Sequence, residues 1–403
     1  MFDIVPVEGG LTAVPGFYCD GINVGMRSNP ANSGITDPDG DVAFIRSEAL
    51  CDVSALFTSN RFQAAPLQHF QRYPKGFQTN FLLVNAKNAN AMTGEKGIED
   101  IETIFAALPE RAGAINPIMS STGVIGYRLP VEKIISGLDR FDYHAQNSDA
   151  AARSIMTTDT FKKELAYDVT LENGEHFRLA GICKGAGMID PAMATLLSFV
   201  VTDAAVPKSD MDALLKEAVD ASFNRISVDG DTSTNDTALL LTNHASGAYD
   251  REAFRTVLKK LMFEMAMMIL RDGEGATKVV AFDVTGAASD DEARTAATAL
   301  SNSLLVKTAL FGEDPNWGRI ASTIGAAGIA CDERRLSIHY DDLLIYSDLQ
   351  RELDKEHEAV AYAIMKQDRF TVRCDLGMGE GAYTAYGCDL SYDYVKINAE
   401  YRT

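Results

Sequence analysis

Basic residues are in short supply in this chain of 403 residues: 37 Lys and Arg stand against 57 Asp and Glu, a formal net charge of −20. Phosphate backbones are bound by positive surface, so the deficit argues against a nucleic-acid partner and leaves small anionic substrates only where local Lys or Arg offsets the field. Long apolar runs are lacking as well. None approaches the roughly 18 residues that a membrane helix requires; residues 196–201 are too few, and residues 261–270 are interrupted by Glu264. The opening MFDIVPVEGG has neither the basic start nor the apolar core of a secretory signal. These absences predict a soluble, cytoplasmic protein with no membrane partner. The six cysteines (Cys19, Cys51, Cys183, Cys331, Cys374 and Cys388) form no CxxC pair, and no two of the six histidines lie at a metal-ligand spacing. Reduced, structural thiols and no metal are expected. GxxxxGK[ST] and GxSxG are both missing, which excludes a phosphate-cradling loop and leaves no serine marked as a nucleophile. Gly185-Ala186-Gly187 and Gly377-Met378-Gly379-Glu380-Gly381 lack the GxGxxG order and read as flexible loops.

What is present is a mixed α/β pattern with no low-complexity linker and no evident repeat, long enough for two domains or one large domain with an appendage. Residues 81–84 read as a short buried strand, 97–108 as a helix, and 115–120 as a strand running into Ser121-Thr122-Gly123. Residues 210–226 and 249–271 are amphipathic helices. The second sets Phe254, Val257, Leu258, Leu261, Met262 and Met265 at helical spacing, with the methionines as core filling. Asp272-Gly273 ends that helix. A strand at 277–284, a helix at 290–303 and a strand at 304–311 predict a strand–helix–strand unit, hence a second α/β module. A further, strongly charged helix is expected at 349–367. In Asp314-Pro315-Asn316-Trp317-Gly318-Arg319, which holds the single tryptophan, Asp314 reads as a helix cap with Pro315 at the first helical position.

The chemistry concentrates at Gly181-Ile182-Cys183-Lys184-Gly185-Ala186-Gly187-Met188-Ile189, which leads through Pro191 and Met193-Ala194-Thr195 into the apolar run 196–201. A hydroxyl is a weak nucleophile without a base. If the Ala194–Thr195 bond were cut, Thr195 would gain an α-amine of unperturbed pKa about 7.7–8.0 and carry nucleophile and base in one residue. The plain alternative makes Thr195 a strand residue after a loop. Acyl transfer also needs donors aimed at the developing oxyanion. Ser121-Thr122-Gly123-Val124-Ile125-Gly126 offers the Gly123 N–H and the Thr122 hydroxyl, unless it is an ordinary strand-to-helix turn. Glu274, between glycines beyond a helix end, is either a seat for a substrate ammonium or a solvated loop acid.

Together, Lys184–Ile189 with Met193-Ala194-Thr195, Ser121–Gly126, 271–278, 314–320 and the tail from Tyr392 through Asn398 to Thr403 resemble the ornithine acetyltransferase family over essentially the whole chain. The resemblance implies an α/β fold, layered in the α+β sense, with an N-terminal-nucleophile-like αββα core at 1–280 and a smaller C-terminal module at 281–403 whose tail returns to the site. It implies self-cleavage at Ala194–Thr195 into an α chain, 1–194, and a β chain, 195–403, associating as α2β2. It further implies ping-pong transfer of acetyl from N2-acetylornithine to glutamate through an acetyl-Thr195, in arginine biosynthesis. Thr122 and Gly123 would form the oxyanion hole, and Thr158, Lys184, Thr195, Glu274, Asn398 and Thr403 would bind substrate. No cofactor is implied. Some members also take acetyl from acetyl-CoA, and no residue here decides whether this chain does. A related group of self-cleaving aminopeptidases delivers its acyl group to water, and an uncleaved binding homologue is the non-enzymatic alternative. Two departures from the family pattern stand out: Ala86-Lys87-Asn88-Ala89-Asn90-Ala91-Met92-Thr93-Gly94 has Met92 in place of the usual cysteine, and Ala192 replaces a common asparagine.

Overall fold

The computed structural model describes residues 2–26, 40–190 and 196–400. Ala192, Ala194, Thr195 and Thr403 lie outside the described residues. Over the described residues the chain folds as an α/β protein on two sheets. The first has nine strands: β1 (Phe2–Pro6), β2 (Phe17–Ile22), β3 (Val42–Phe57), β4 (Gln78–Asn85), β5 (Ile118–Ser121), β6 (Lys163–Leu171), β7 (His176–Lys184), β8 (Leu197–Thr202) and, after β9 (Ile226–Ser227), β10 (Thr237–Thr242). Their order is β1-β6-β7-β8-β10-β3-β4-β5, with β2 on β3. The second sheet runs β13 (Leu343–Tyr346), β12 (Ser337–Tyr340), β14 (Arg369–Asp375), β11 (Val279–Ala287), β15 (Gly381–Cys388) and β9.

Helices α1 (Ala65–Phe70), α2 (Glu95–Ala106), α3 (Val131–Leu138), α4 (Ser148–Ser154), α5 (Lys208–Asp220) and α6 (Arg251–Arg271) accompany the first sheet. They are followed by α7 (Asp290–Asn302), α8 (Leu304–Phe311), α9 (Trp317–Ala326), α10 (Lys355–Met365) and the terminal α11 (Tyr392–Glu400). Strand β8 shows why its sheet is covered on both faces. Every residue from Leu197 to Thr202 is buried, and successive side chains on a strand point to opposite faces. Val200 joins the core under α5 and α6, whereas Leu197, Phe199 and Val201 join a second core with Ile45, Leu82 and Ala151. The six apolar residues expected at helical spacing on α6 are all fully buried in the first of these cores, each worth about 1.5–3 kcal/mol by its transfer from water.

Apart from shifts of two or three residues at the ends of other elements, the structure corrects the sequence reading at four places. Residues 304–311 form a helix, not a strand. Ser303 Oγ accepts the Val306 N–H, the Thr308 hydroxyl donates back to the Leu304 carbonyl at 2.8 Å, and burial of Val306, Lys307, Ala309 and Leu310 follows the helical period. The module after residue 280 is therefore strand–helix–helix at that point. The helix expected to reach residue 226 stops at Asp220, because Ile226 and Ser227 leave it to pair in parallel with Tyr386 and Gly387 of β15. Asn316, not Asp314, caps α9 by accepting the Arg319 N–H at 3.3 Å. The charged helix starts only at Lys355, where Asp354 accepts the Glu356 and His357 N–H groups; Leu349, expected at its start, is 97 % exposed. All six cysteines are free thiols, five of them buried. Among the described residues no helix is long and apolar enough to cross a membrane.

Candidate active site

The ends of β5 and β7 and the segment before β10 meet in the folded chain: the Asn235 amide donates to the Ser121 carbonyl, and the Lys184 ammonium to the Thr122 hydroxyl. There Thr122, Gly123, Thr158, Lys184, Gly187, Asn235, Glu274 and Asn398 line one cleft. Of the residues expected at the site, the structure thus brings together Thr122, Gly123, Thr158, Lys184, Glu274 and Asn398.

Lys184 is the last residue of β7 and is 3 % exposed. Its ammonium donates to the Thr122 hydroxyl at 3.4 Å and stands 3.9 Å from the Asp159 carboxylate. Burial dominates its titration and holds its pKa below the usual lysine value. The Lys163 and Lys87 charges add to the effect, and those of Asp159 and Glu274 oppose it. Asp159 shows the reverse balance. Burial alone would raise its pKa, yet the Lys184 and Lys163 charges and the bonds from Lys163 and the Gly185 N–H hold it well below the carboxylate range. Asp159 Oδ1 accepts from Lys163 Nζ at 2.7 Å and from Gly185 N at 2.7 Å, so one carboxylate ties the lysine to the glycine loop. Lys163, fully buried, also donates to Asp272 Oδ2 at 2.5 Å. Asp272 caps α6 and thereby joins the turn carrying Glu274 to the same network.

Glu274 is nine-tenths buried. Its N–H donates to the Ala186 carbonyl at 2.8 Å, and its Oε2 accepts the Asn398 amide at 2.7 Å. The tail helix α11 is thereby attached to the acid. Gly123 adopts φ 133°, and a Cβ there would lie 2.2 Å from the Lys87 carbonyl carbon, so only glycine lets this turn pass so close to the 87–88 backbone. No partner for its N–H is found among the described residues.

The chain is anchored on both sides of residues 191–195. Asp229 accepts the Met188 and Ile189 N–H groups at 2.6 and 2.9 Å, Asp190 accepts the Asn302 amide at 2.8 Å, and Leu196 N–H donates to Asp236 at 3.0 Å. Sequence reasoning missed the residues before β10. Asn235 donates to the Ala89 and Ser121 carbonyls at 2.7 and 2.8 Å and braces the turn that carries Thr122 and Gly123. The signal was present: Asp229-Gly230-Asp231-Thr232-Ser233-Thr234-Asn235-Asp236 is an unbroken polar run leading directly into an apolar strand. The Asp159–Lys163–Asp272 network was missed too, since its members are 109 and more residues apart on one side. Met92 lies 63 % exposed. No group of three His, Cys, Asp or Glu able to hold a metal occurs among the described residues.

An α/β fold whose cleft sets a buried lysine, a buried carboxylate and hydroxyl and amide donors around one opening is that of an enzyme acting on a small charged substrate. Residues 27–403 match the model of the ArgJ family. The chain is 54 % identical over 404 residues, covering all of both chains, to the arginine biosynthesis bifunctional protein ArgJ of Wolinella succinogenes. It is 42 % identical to the protein of that name from Geobacter sulfurreducens, over 94 % of this chain and 99 % of that one. It is 38 % identical, over 98 % of each chain, to the glutamate N-acetyltransferase of Methanothermobacter thermautotrophicus. The chain belongs to the ArgJ family and is an acetyltransferase of arginine biosynthesis.

Proposed function

We propose that this chain cuts itself between Ala194 and Thr195 and then moves acetyl from N2-acetylornithine to glutamate by a ping-pong mechanism through an acetyl-Thr195. The observation that carries the reading is the convergence of Lys184, Glu274 and the Thr122–Gly123 turn on one cleft beside the start of β8. Lys184 meets the α-carboxylate, and Glu274, steadied by Asn398, meets the side-chain ammonium of ornithine, both as charge-assisted contacts. Thr158 and the terminal Thr403 complete the substrate contacts. The Thr195 hydroxyl gives its proton to its own α-amine and attacks the acetyl carbonyl. The resulting oxyanion takes hydrogen bonds from the Gly123 N–H and the Thr122 hydroxyl, and ornithine leaves with the proton. Glutamate enters the emptied cleft and its amine takes the acetyl group. Pairing of β7 with β8 across the cut, Leu179 opposite Thr202 and Lys184 opposite Leu197, keeps the α and β chains in one sheet; two such pairs associate as α2β2. Acetyl-CoA serves as an alternative donor only if it too acetylates Thr195.

Intact mass and ornithine release test this together. Thr195→Ala should remain a single full-length species and release no ornithine, and Thr195→Ser should retain part of both activities. Cutting at residue 194 in Thr195→Ala, or ornithine release by the wild-type chain at the same rate without glutamate, would overturn the self-cleavage or the transferase reading respectively.

A further inference from the structure

We propose that Asp236 is the acid that hands a proton to the Thr195 nitrogen when the chain cuts itself, an inference that rests on the Thr195 reading above. The Asp236 side chain is fully buried. Its Oδ1 accepts the Leu196 N–H at 3.0 Å, while its Oδ2 has no hydrogen-bond partner among the described residues. Sheet register dictates this position. Strands β8 and β10 run parallel with Leu197 opposite Thr237, and Thr237 N–H donates to the Leu196 carbonyl at 3.0 Å. The residue before β10 must therefore lie beside the residue before β8. Thr195 is the covalent neighbour of Leu196, and backbone bond lengths alone hold its nitrogen within about 3.6 Å of the Leu196 nitrogen. The carboxyl that grips Leu196 is thus one residue along the chain from the bond to be cut.

A purely structural role leaves part of this unexplained. Accepting the Leu196 N–H needs one oxygen, which an asparagine supplies without burying an ionisable group, and only the nearby Thr58 and Ser233 hydroxyls offset the burial of the second. Burial is the strongest influence on Asp236 and raises its pKa well above the carboxylate range. The Leu196 N–H, the Thr58 and Ser233 groups and the Lys184 charge oppose this and are outweighed. Burial thus favours the protonated carboxyl, the form that an amide leaving group requires. Thr195 Oγ attacks the Ala194 carbonyl carbon and forms a C–O bond. The C–N bond then breaks, the nitrogen leaves as an amine carrying the Asp236 proton, and the Oγ proton passes to the Asp236 carboxylate, restoring it. Water hydrolyses the ester to the Ala194 carboxylate and the free Thr195 hydroxyl.

The test follows intact mass after cell-free synthesis of the full chain. Asp236→Asn keeps the Leu196 acceptor, so its urea midpoint should match wild type while self-cleavage slows about 10²-fold or more. Cutting by Asp236→Asn at the wild-type rate overturns the proposal. Should the Asn variant fold poorly, Asp236→Glu and Asp236→Gln share length and misfit but differ in the acidic proton. Faster cutting by the Glu chain supports the assignment, and equal rates overturn it. Hydroxylamine, which cleaves esters, should release no fragments from the stalled Asp236→Asn precursor. Fragments would show that the ester forms without the acid and overturn the proposal. A wild-type chain that stays at full mass instead fails the Thr195 reading itself.

Discussion

The Glu274 carboxylate fills the space that a side chain at residue 187 would need: a Cβ on Gly187 would lie 2.4 Å from the carboxyl carbon and 2.5 and 2.6 Å from its oxygens. The glycine loop and the acid are therefore fitted to one another. Since the obstructing atoms are the end of a flexible side chain, Gly187→Ala should fold and cut itself but displace the carboxylate. Losing a hydrogen bond to a charged group costs about 1.5–3 kcal/mol, so the KM for acetylornithine should rise about 10- to 100-fold. Glu274→Gln should weaken ornithine-side binding in the same way and leave self-cleavage intact. Steady-state kinetics on both variants check this; an unchanged KM in both would remove Glu274 from the substrate site.

Lys163 holds two carboxylates in a dry environment, with Asp159 at 2.7 Å and Asp272 at 2.5 Å. Removing the cation leaves Asp272 without an ion pair among the described residues and Asp159 with only Lys184 at 3.9 Å, and breaking a buried pair costs about 3–5 kcal/mol. Lys163→Met should lower the urea midpoint accordingly, whereas Lys163→Met with Asp159→Asn and Asp272→Asn should recover much of the loss. A single variant as stable as wild type would show that the network contributes little.

Acid titration isolates Asp159. Its folded-state pKa is depressed, so its contribution to stability is fully present above the unfolded value of about 3.9 and is lost as pH falls through the folded value. Within that window the unfolded chain binds one proton more at this site, and stability falls by at most about 1.4 kcal/mol per pH unit from it. Asp159→Asn should show a correspondingly shallower dependence of stability below pH about 4, measured by urea unfolding at a series of pH values. An unchanged slope would mean that Asp159 titrates alike in both states.

The Ser303 hydroxyl caps α8, the segment that sequence periodicity reads as a strand. Ser303→Ala should destabilise the chain by about 1 kcal/mol, whereas Ser303→Asp should hold stability near wild type. Thermal unfolding of the two variants distinguishes a cap from a loop serine.

The error at residues 304–311 and the success at 251–271 have one physical cause. Over 21 residues the apolar stripe of α6 repeats often enough to be told from a strand. Eight residues rich in Leu, Val and Phe are not, and the deciding features were the Ser303 cap and the burial of Lys307, whose ammonium reaches the Cys388 carbonyl at 2.5 Å. Likewise Asp354 and Asn316 decide helix starts through hydrogen bonds that several nearby polar residues were equally able to make.

The sequence by itself determined the α/β class, the acidic charge balance, and the long helix and buried strand, because periodicity and side-chain chemistry are local properties. It placed Lys184, Glu274, Thr122, Gly123, Thr158 and Asn398 under suspicion but did not bring them together. Only the tertiary structure decided that Asn398 reaches Glu274 across 124 positions, that Lys163 bridges Asp159 to Asp272, and that Asp236 grips Leu196. Those contacts join residues 40 to 124 positions apart, and contact across such separations leaves no trace in any local pattern of the chain.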